Sequence, residues 1–283
     1  MVLALVCFGL LANAQDDNGK KENPDTLRVG NIIIIKKSNP SKVNVTQKSE
    51  KKSKSKISTN WLVVDLGFSN FADHTNYAVA NGGSYLQPGS TAFTKSDFNL
   101  RDGKSINVNI WLFMQQLYII KKNVGLKYGL GVELNNYRFK KSSLLSFKED
   151  GIPYAGTTQL NDPFVFRDTV VGFSKNKLAL DYITVPMMLN FQTTPRHGKP
   201  KFNVAFGVSA GYLYSQRNKQ VSAERGKKKN RGDYDAEKFK LSYVAELGLG
   251  YVKLYGSYSP NSMFESSTHL KFNPYTLGIR IGN

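Results

Sequence analysis

Charged side chains recur inside stretches of this sequence that alternate strictly between large apolar and small residues. The stretch 124–134 reads V-G-L-K-Y-G-L-G-V-E-L, and its charges, Lys127 and Glu133, fall on the face that otherwise carries glycine. Because successive side chains of a strand point to opposite faces, one face is hydrocarbon and the other is glycine and charge. Six residues share this kind of position: Asp65, Lys127, Glu133, Glu246, Lys253 and Arg280.

The chemistry open to these six residues depends on where the glycine-and-charge face lies. In a narrow β-barrel whose apolar rows point outward, they would lie in a lumen that side chains just fill. Isolated buried charge is costly, so they would have to pair into a plug of salt bridges. We expect Arg280 to face one of three carboxylates: Glu133, Glu246 or Asp65. A proton or ion path through the lumen is the alternative use of the same residues.

Catalysis has little support in the sequence. The three histidines are scattered over different loops or turns: His74, His197 and His269. No Ser/His/acid set stands at predicted strand ends, and no phosphate loop, zinc-binding spacing or dinucleotide fingerprint is present. Four acidic residues of one loop could bind a cation, although such residues are usually just solvated: Glu149, Asp150, Asp162 and Asp168. We therefore predict no enzyme activity, no catalytic residues, no metal and no cofactor.

Positive charge dominates the composition, with a formal net charge of +18 at pH 7. A nucleic-acid partner would need a basic face on a recognisable module, and the export signal described below argues against it. The densest cluster falls in the predicted loop 216–238 and includes Arg225, Lys227, Lys228, Lys229 and Arg231. Exposed outside a cell, it would face phosphorylated lipopolysaccharide or another polyanion; the alternative is a merely solvated loop.

The strands that must position these residues number eight. Alternating segments cover 62–68, 106–114, 124–134, 178–191, 202–214, 239–249, 252–259 and 275–281. The fourth changes phase near Tyr182 and Ile183, which suggests a bulge, and Pro186 there cannot donate to a ladder. Short connections alternate with long ones, the long ones being 72–104, 140–177, 216–238 and 260–274. Short turns at one end and long loops at the other are typical of outer-membrane barrels.

The N-terminal part of the chain differs in composition from the strands. Residues 1–14 combine an apolar core with a small-x-small end and predict a signal peptide. Residues 15–59 predict a disordered, basic, low-complexity tether in the periplasm, and 60–283 predict the barrel. The single cysteine, Cys7, falls in the predicted signal peptide, so no disulfide is expected. Mean hydropathy is −0.37, and no apolar run is long enough for a transmembrane helix.

One motif is more specific than the alternation. Residues 180–186 read L-D-Y-I-T-V-P, an Asp-Tyr-Ile-x-x-Pro element in the fourth predicted strand. With the signal peptide, the basic tether and the eight strands, this element resembles the outer membrane β-barrel proteins of Bacteroidetes, the PorT-like group, over residues 60–283. The resemblance implies a structural or interaction role that assists protein secretion or surface assembly. It also implies secretion-machinery proteins as partners.

The sequence thus predicts an all-β fold: an eight-stranded antiparallel up-and-down transmembrane β-barrel with a disordered N-terminal tether. We expect a monomer of a Gram-negative outer membrane in contact with lipid and lipopolysaccharide, without nucleic acid. The alternative is a soluble secreted lipocalin-like barrel that binds an apolar ligand. Both share the same alternation, and the direction of the apolar face distinguishes them. The charged and glycine-rich second face argues against an apolar cavity.

Overall fold

The computed structural model describes residues 26–29, 32–35, 45–47, 56–140, 144–148, 162–193, 202–250 and 252–281. The chain divides into two units, 1–54 and 55–283. In the first unit three short strands, β1 (Thr26–Val29), β2 (Ile32–Ile35) and β3 (Val45–Gln47), form one antiparallel sheet. The predicted disordered tether therefore contains regular structure at these positions. The predicted signal peptide lies outside the described residues.

The described residues of the second unit form twelve further strands and little helix. The strands are β4 (Ile57–Asp73), β5 (Leu86–Gln87), β6 (Ile106–Ile120), β7 (Val124–Arg138), β8 (Leu145–Lys148), β9 (Phe164–Arg167), β10 (Phe173–Gln192), β11 (Phe202–Ser222), β12 (Gly226–Arg231), β13 (Phe239–Leu249), β14 (Val252–Tyr258) and β15 (Phe272–Ile281). Among the described residues, a single helical turn, α1 (Tyr77–Ala80), and two 3₁₀ turns, Lys95–Phe98 and Ser266–Thr268, lie in the long connections. No helix among the described residues is long and apolar enough to cross a membrane.

Eight of these strands close into a ring. In chain order they are β4, β6, β7, β10, β11, β13, β14 and β15; each pairs antiparallel with the next, and β15 pairs with β4. The prediction of an all-β antiparallel barrel is confirmed. The first strand begins at Ile57, three residues before the predicted boundary at residue 60, because its start pairs with 113–117 of β6.

The apolar rows point away from the ring. Phe68, Met187 and Leu277 are 59%, 52% and 64% exposed, whereas Asp65 and Thr184 on the other face are fully buried. The lipocalin-like alternative is therefore wrong for this chain: it requires apolar side chains around the cavity, and here they form the outer wall. The lumen receives glycine, amide and charged side chains instead.

The phase change predicted in the fourth strand has a different cause from the one expected. On β10 the even-numbered residues point inward throughout 178–192, so the strand carries no extra residue over this stretch. The extra residue lies on the partner strand β11: Asp181 pairs with Ser215 and Tyr182 with Leu213, which leaves Tyr214 unpaired. The apolar pattern slips because Leu178, Leu180 and Tyr182 fill an inner core, whereas from Ile183 onward the apolar residues face outward.

The described parts of the long connections contain regular secondary structure. Strands β5, β9 and β8 form a small three-stranded sheet. The predicted loop 216–238 is mostly a β-hairpin. Residues 202–212 of β11 pair with β13, and beyond the barrel residues 217–222 of the same strand pair with β12 instead. Buried apolar side chains from these connections and the adjoining strand ends form one cluster, called the apolar cap: Ala80, Tyr85, Leu86, Phe93, Phe98, Leu100, Tyr137, Phe139, Leu145, Phe147, Val165, Leu178, Leu180, Tyr182, Leu213, Tyr234, Ala236, Met263, Phe264, Leu270 and Phe272.

Candidate functional site

Arg280 lies at the centre of the lumen and joins two carboxylates. Its Nε and Nη2 donate to Asp65 Oδ1 and Oδ2 at 2.6 and 2.7 Å, because β15 places Arg280 directly opposite Asp65 on β4. Its Nη1 donates to Glu246 Oε2 at 2.5 Å, and Lys127 Nζ donates to the same oxygen at 2.5 Å. Four of the six predicted lumen residues therefore form one connected cluster, and Arg280 has two of the three acidic partners expected for it.

Neutral donors complete the hydrogen bonding of this cluster. Trp111 Nε1 and Asn109 Nδ2 donate to Asp65 Oδ2 at 2.7 and 3.2 Å. Asn203 Nδ2 donates to Glu246 Oε1 at 3.3 Å. Each carboxylate thus has charged and neutral donors, which is the condition under which buried ion pairs are tolerated.

A second buried pair lies nearer the long-loop end. Lys240 Nζ donates to Glu133 Oε2, and the same ammonium lies 4.8 Å from the centre of the Tyr182 ring. Glu133 therefore does not contact Arg280, and its partner was absent from the predicted set. Lys240 stands on the polar face of the sixth predicted strand. Its position in the alternating pattern could therefore have identified it as a lumen residue. We call the six residues of the two clusters the lumen network: Asp65, Lys127, Glu133, Lys240, Glu246 and Arg280.

Lys253, the sixth predicted residue, occupies the short-turn end of the barrel. There it lines a polar cavity of about 230 Å³ together with Lys127, Gln192 and Asn203. The cavity beside Asp65, Glu133 and Arg280 is only about 20 Å³, room for about one water molecule. Side chains therefore fill most of the barrel interior at the level of these three residues.

Glycine makes room for the large side chains of the lumen. A methyl group at Gly131 would lie 2.6 Å from Trp111 Cε3, and one at Gly67 would lie 2.5 Å from the Tyr255 hydroxyl. The Trp111 and Tyr255 rings are nearly fully buried. The glycines of the alternating stretches therefore accommodate bulky neighbours on adjacent strands.

The apolar cap closes the long-loop end of the barrel. Phe272 stacks on Phe71 with ring centroids 4.4 Å apart and meets Phe98 edge-on at 5.1 Å. The Tyr85 hydroxyl donates to the Tyr234 carbonyl at 2.7 Å, and burial raises the pKa of this phenol. At the long-loop end, apolar and aromatic side chains thus fill the inner face of the barrel. Closer to the short-turn end, charged groups fill that face instead.

Arg167 fastens the connections that make up the cap. Its guanidinium donates to Asp97 Oδ2 at 2.9 Å and to the Ala92 carbonyl at 3.0 Å, and it lies 4.1 Å from the centre of the Phe93 ring. Burial by itself would raise the pKa of Asp97, but hydrogen bonds from Arg167 and Thr94 outweigh it and lower that pKa.

The residues considered for catalysis or metal binding do not converge in the described structure. His74 and His269 line an open groove of about 880 Å³ at the long-loop end. Asp168 accepts hydrogen bonds from Arg225 Nη1 at 2.7 Å and from the Val170 amide at 3.2 Å. Among the described residues no group of three or more metal-ligating side chains exists. Three further candidates lie outside those residues: Glu149, Asp150 and His197.

The basic residues predicted to meet a polyanion lie on a strand and its turn. In the hairpin, Lys227, Lys229 and Arg231 of β12 oppose Val221, Lys219 and Arg217 of β11, all on the outer face. Lys228 opposes Gln220, which points inward, so its side chain leaves from the other face. Arg225 stands in the turn, where Asp168 engages it. The predicted cluster therefore divides into three residues on the outer face, Lys228 on the opposite face of the hairpin, and Arg225 paired with Asp168.

A closed antiparallel ring with hydrocarbon outside and hydrogen-bonded charge inside defines a membrane-spanning β-barrel, because only closed barrels satisfy every strand amide in lipid. The family model described as outer membrane protein beta-barrel domain matches residues 47–273, and the chain belongs to that family. The protein is therefore an outer-membrane barrel.

Solved structures that resemble this chain include two of the attachment invasion locus protein Ail of Yersinia pestis. One has a TM-score of 0.30 and the other, in complex with the heparin analogue sucrose octasulfate, a TM-score of 0.29. Each is 12% identical and covers 79% of this chain and 98% of the Ail chain. At these TM-scores the likeness carries no inference. The search of curated proteins found no match.

Proposed function

We propose that this barrel acts in the outer membrane as a sealed structural and interaction protein, neither a pore nor an enzyme. The observation that carries the proposal is the filled interior. The cavity beside Asp65, Glu133 and Arg280 has room for about one water molecule, and the apolar cap covers the barrel above it. A conducting porin keeps a continuous aqueous path, which this arrangement of side chains does not favour.

The proposed orientation places the N-terminal segment and the short turns in the periplasm and the long connections outside the cell. Barrels of this membrane commonly have that asymmetry of connections. The protein would work as a monomer, because every ring strand is hydrogen-bonded on both sides and ring closure removes the edges that drive strand pairing between chains. The long connections that cover the apolar cap, together with the hairpin, would then form the surface open to partners.

On the resemblance alone, we further propose that this surface assists protein secretion or surface assembly through contacts with secretion-machinery proteins. Deletion of the gene should reduce the amount of secreted surface proteins, and a plasmid copy should restore it. Unchanged surface-protein levels in the deletion strain would contradict this part of the proposal while leaving the sealed barrel intact.

Recording in planar lipid bilayers tests the sealed state directly. The wild-type protein should give no conductance steps. Arg280→Met, which disconnects Asp65 from Glu246, combined with Phe272→Ala in the cap, should open a measurable leak if the molecule remains folded by heat-shifted gel mobility. Discrete conductance from the wild-type protein would overturn the proposal. A folded double variant without conductance would show that neither region forms the seal.

A further inference from the structure

Four cations stand in one line across four neighbouring strands. Arg138 of β7 is directly opposite Lys177 of β10, Lys177 is opposite Lys219 of β11, and Lys219 is opposite Lys229 of β12. We call these four residues the basic row. Directly opposed residues have Cβ atoms about 4.5–5.5 Å apart, and like charges in such pairs are destabilising. The adjacent positions add Lys175, Lys227 and the opposed pair Arg217 and Arg231.

The basic row lies on the outer wall of the molecule. The residues that alternate with it, Asn176, Asn218 and Gln220, are 4%, 1% and 9% exposed and therefore point inward. Tyr212 and Tyr214 are half exposed and end the outward apolar series of β11. Lys219 follows Tyr214 by five residues, about 17 Å along the strand, or about 12 Å above the apolar band at a tilt of about 45°.

The positive charge of this wall has little internal compensation. Arg217 pairs with Asp181, and Lys177 donates to Asn136 Oδ1 at 2.5 Å. Within the described ranges, Lys175, Lys219, Lys227 and Lys229 have no carboxylate oxygen within 4 Å.

The ionisation of the row reflects this crowding. Burial, reinforced by Lys175, Lys219 and Arg217, lowers the pKa of Lys177 to about 8. Repulsion from Arg231, with burial and Arg217, lowers the pKa of Lys229. Folding therefore gathers charges that repel one another, and an anion bound across them would relieve that repulsion.

We propose that the basic row binds the phosphorylated headgroup of an outer-leaflet glycolipid. Phosphate oxygens accept charge-assisted hydrogen bonds from lysine and arginine, and several phosphates on one headgroup match a line of cations. The position selects a lipid-linked phosphate: the row lies on the side wall just above the apolar band, where the acyl chains of the same molecule can pack against outward residues such as Ile183 and Val208. The proposal rests on the orientation given under Proposed function.

Native mass spectrometry of the full-length protein in detergent, titrated with bis-phosphorylated lipid A, measures this binding. Lys219→Gln/Lys229→Gln should weaken binding about tenfold, the loss expected for charge-assisted hydrogen bonds. Lys228→Gln is the control for position 229, since it removes one charge from β12 on the other face; it should stay within about twofold of the wild-type protein. Equal losses in the two variants would overturn the proposal.

Three further ligands identify the group that is recognised. Dephosphorylated lipid A, which keeps the acyl chains, should bind as weakly to the wild-type protein as lipid A does to the row variant. Inorganic pyrophosphate should compete only weakly; competition at lipid A concentrations would replace a glycolipid site by a free-phosphate site. Binding of a sulfated polysaccharide without binding of lipid A would make the row a glycan receptor and overturn the lipid assignment.

Labelling of intact cells separates this inference from the orientation on which it rests. The Lys228→Cys variant should react with a membrane-impermeant maleimide, because the hairpin would lie outside the cell. Absence of labelling in a folded protein would overturn the orientation and the glycolipid site together. Labelling combined with phosphate-independent binding would overturn the glycolipid site alone and leave the sealed barrel standing.

Discussion

The lumen network and the apolar cap fill the inner face of the same strands with opposite chemistry. On β10 the inward side chains Leu178, Leu180 and Tyr182 belong to the cap, whereas Thr184 and Asn190, also inward and buried, belong to the polar lumen. The inner face changes from apolar to polar at the same level at which the outer face changes from polar to apolar. On the outer face, Lys177 precedes this level and Ile183 begins the apolar series.

This contrast shows that the medium outside the barrel sets the chemistry inside it. Next to lipid, apolar side chains are favourable on the outer wall, and the narrow interior is filled by hydrogen-bonded polar groups. Above the lipid the outer wall meets water, so apolar burial must come from an inner core, as in a soluble domain. The two regions should therefore respond differently to substitution.

The largest effect is expected from breaking the lumen network. Glu246→Gln removes the carboxylate that Lys127 pairs with and one of the two that Arg280 pairs with, and removing one partner of a buried ion pair costs about 3–5 kcal/mol. Urea unfolding of the protein in lipid vesicles, followed by heat-shifted gel mobility, measures the loss. Lys127→Met/Glu246→Gln, which restores the balance of charge, should recover part of it. A loss under about 1 kcal/mol in the single variant would show that the network is not decisive.

Breaking the cap should cost somewhat less and act locally. Phe272→Ala removes the ring that contacts Phe71 and Phe98, with an expected loss of about 3 kcal/mol. Protease cleavage in the long connections should accelerate while gel mobility still reports a folded ring. Leu277→Ala on the same strand, whose side chain faces outward, is the control and should leave cleavage unchanged. Simultaneous unfolding of ring and cap would mean that the two regions are one cooperative unit.

Overpacking of the lumen should give an intermediate loss. A methyl group at Gly131 would lie 2.5 Å from the Ile110 carbonyl oxygen as well as against Trp111, so Gly131→Ala should cost about 2 kcal/mol in the urea experiment. At Gly256 the nearest atom would be the Thr276 carbonyl oxygen at 3.5 Å, an ordinary contact. Gly256→Ala is therefore the matched control, and equal losses in both variants would count against crowding as the cause.

The smallest effect concerns pH and should appear only in the cap. Because Arg167 and Thr94 hold the pKa of Asp97 below its ordinary value, ionised Asp97 stabilises the cap above about pH 4, and this contribution is lost as the pH falls through the lowered value. The pair is partly solvated, so the change should stay under about 1 kcal/mol. Hydrogen exchange of cap amides between about pH 5 and pH 3 measures it. Asp97→Asn should reduce the pH dependence of hydrogen exchange in the cap. If that pH dependence were the same in the variant and the wild-type protein, Asp97 would not be its source.

Much of the ring could be predicted because a strand with different media on its two faces carries a period of two in its sequence. The stretch 124–134 shows this period without interruption, and the same alternation puts Asp65 and Arg280 on the face opposite the apolar rows. The hairpin was missed because Lys227, Lys228 and Lys229 follow one another without alternation and look like a solvated loop. Met114, expected with the outward apolar row, turns inward at an irregularity of β6 between Trp111 and Phe113.

The amino-acid sequence by itself determined the strand period, the number of ring strands and the inner position of the charged residues, since each follows from neighbours along the chain. Only the tertiary structure decided which charges pair, that Lys240 joins Glu133, that Tyr214 is the extra residue, and that four cations meet in one row. These contacts depend on the register between strands distant in sequence, and a shift of one residue would move every side chain to the opposite face.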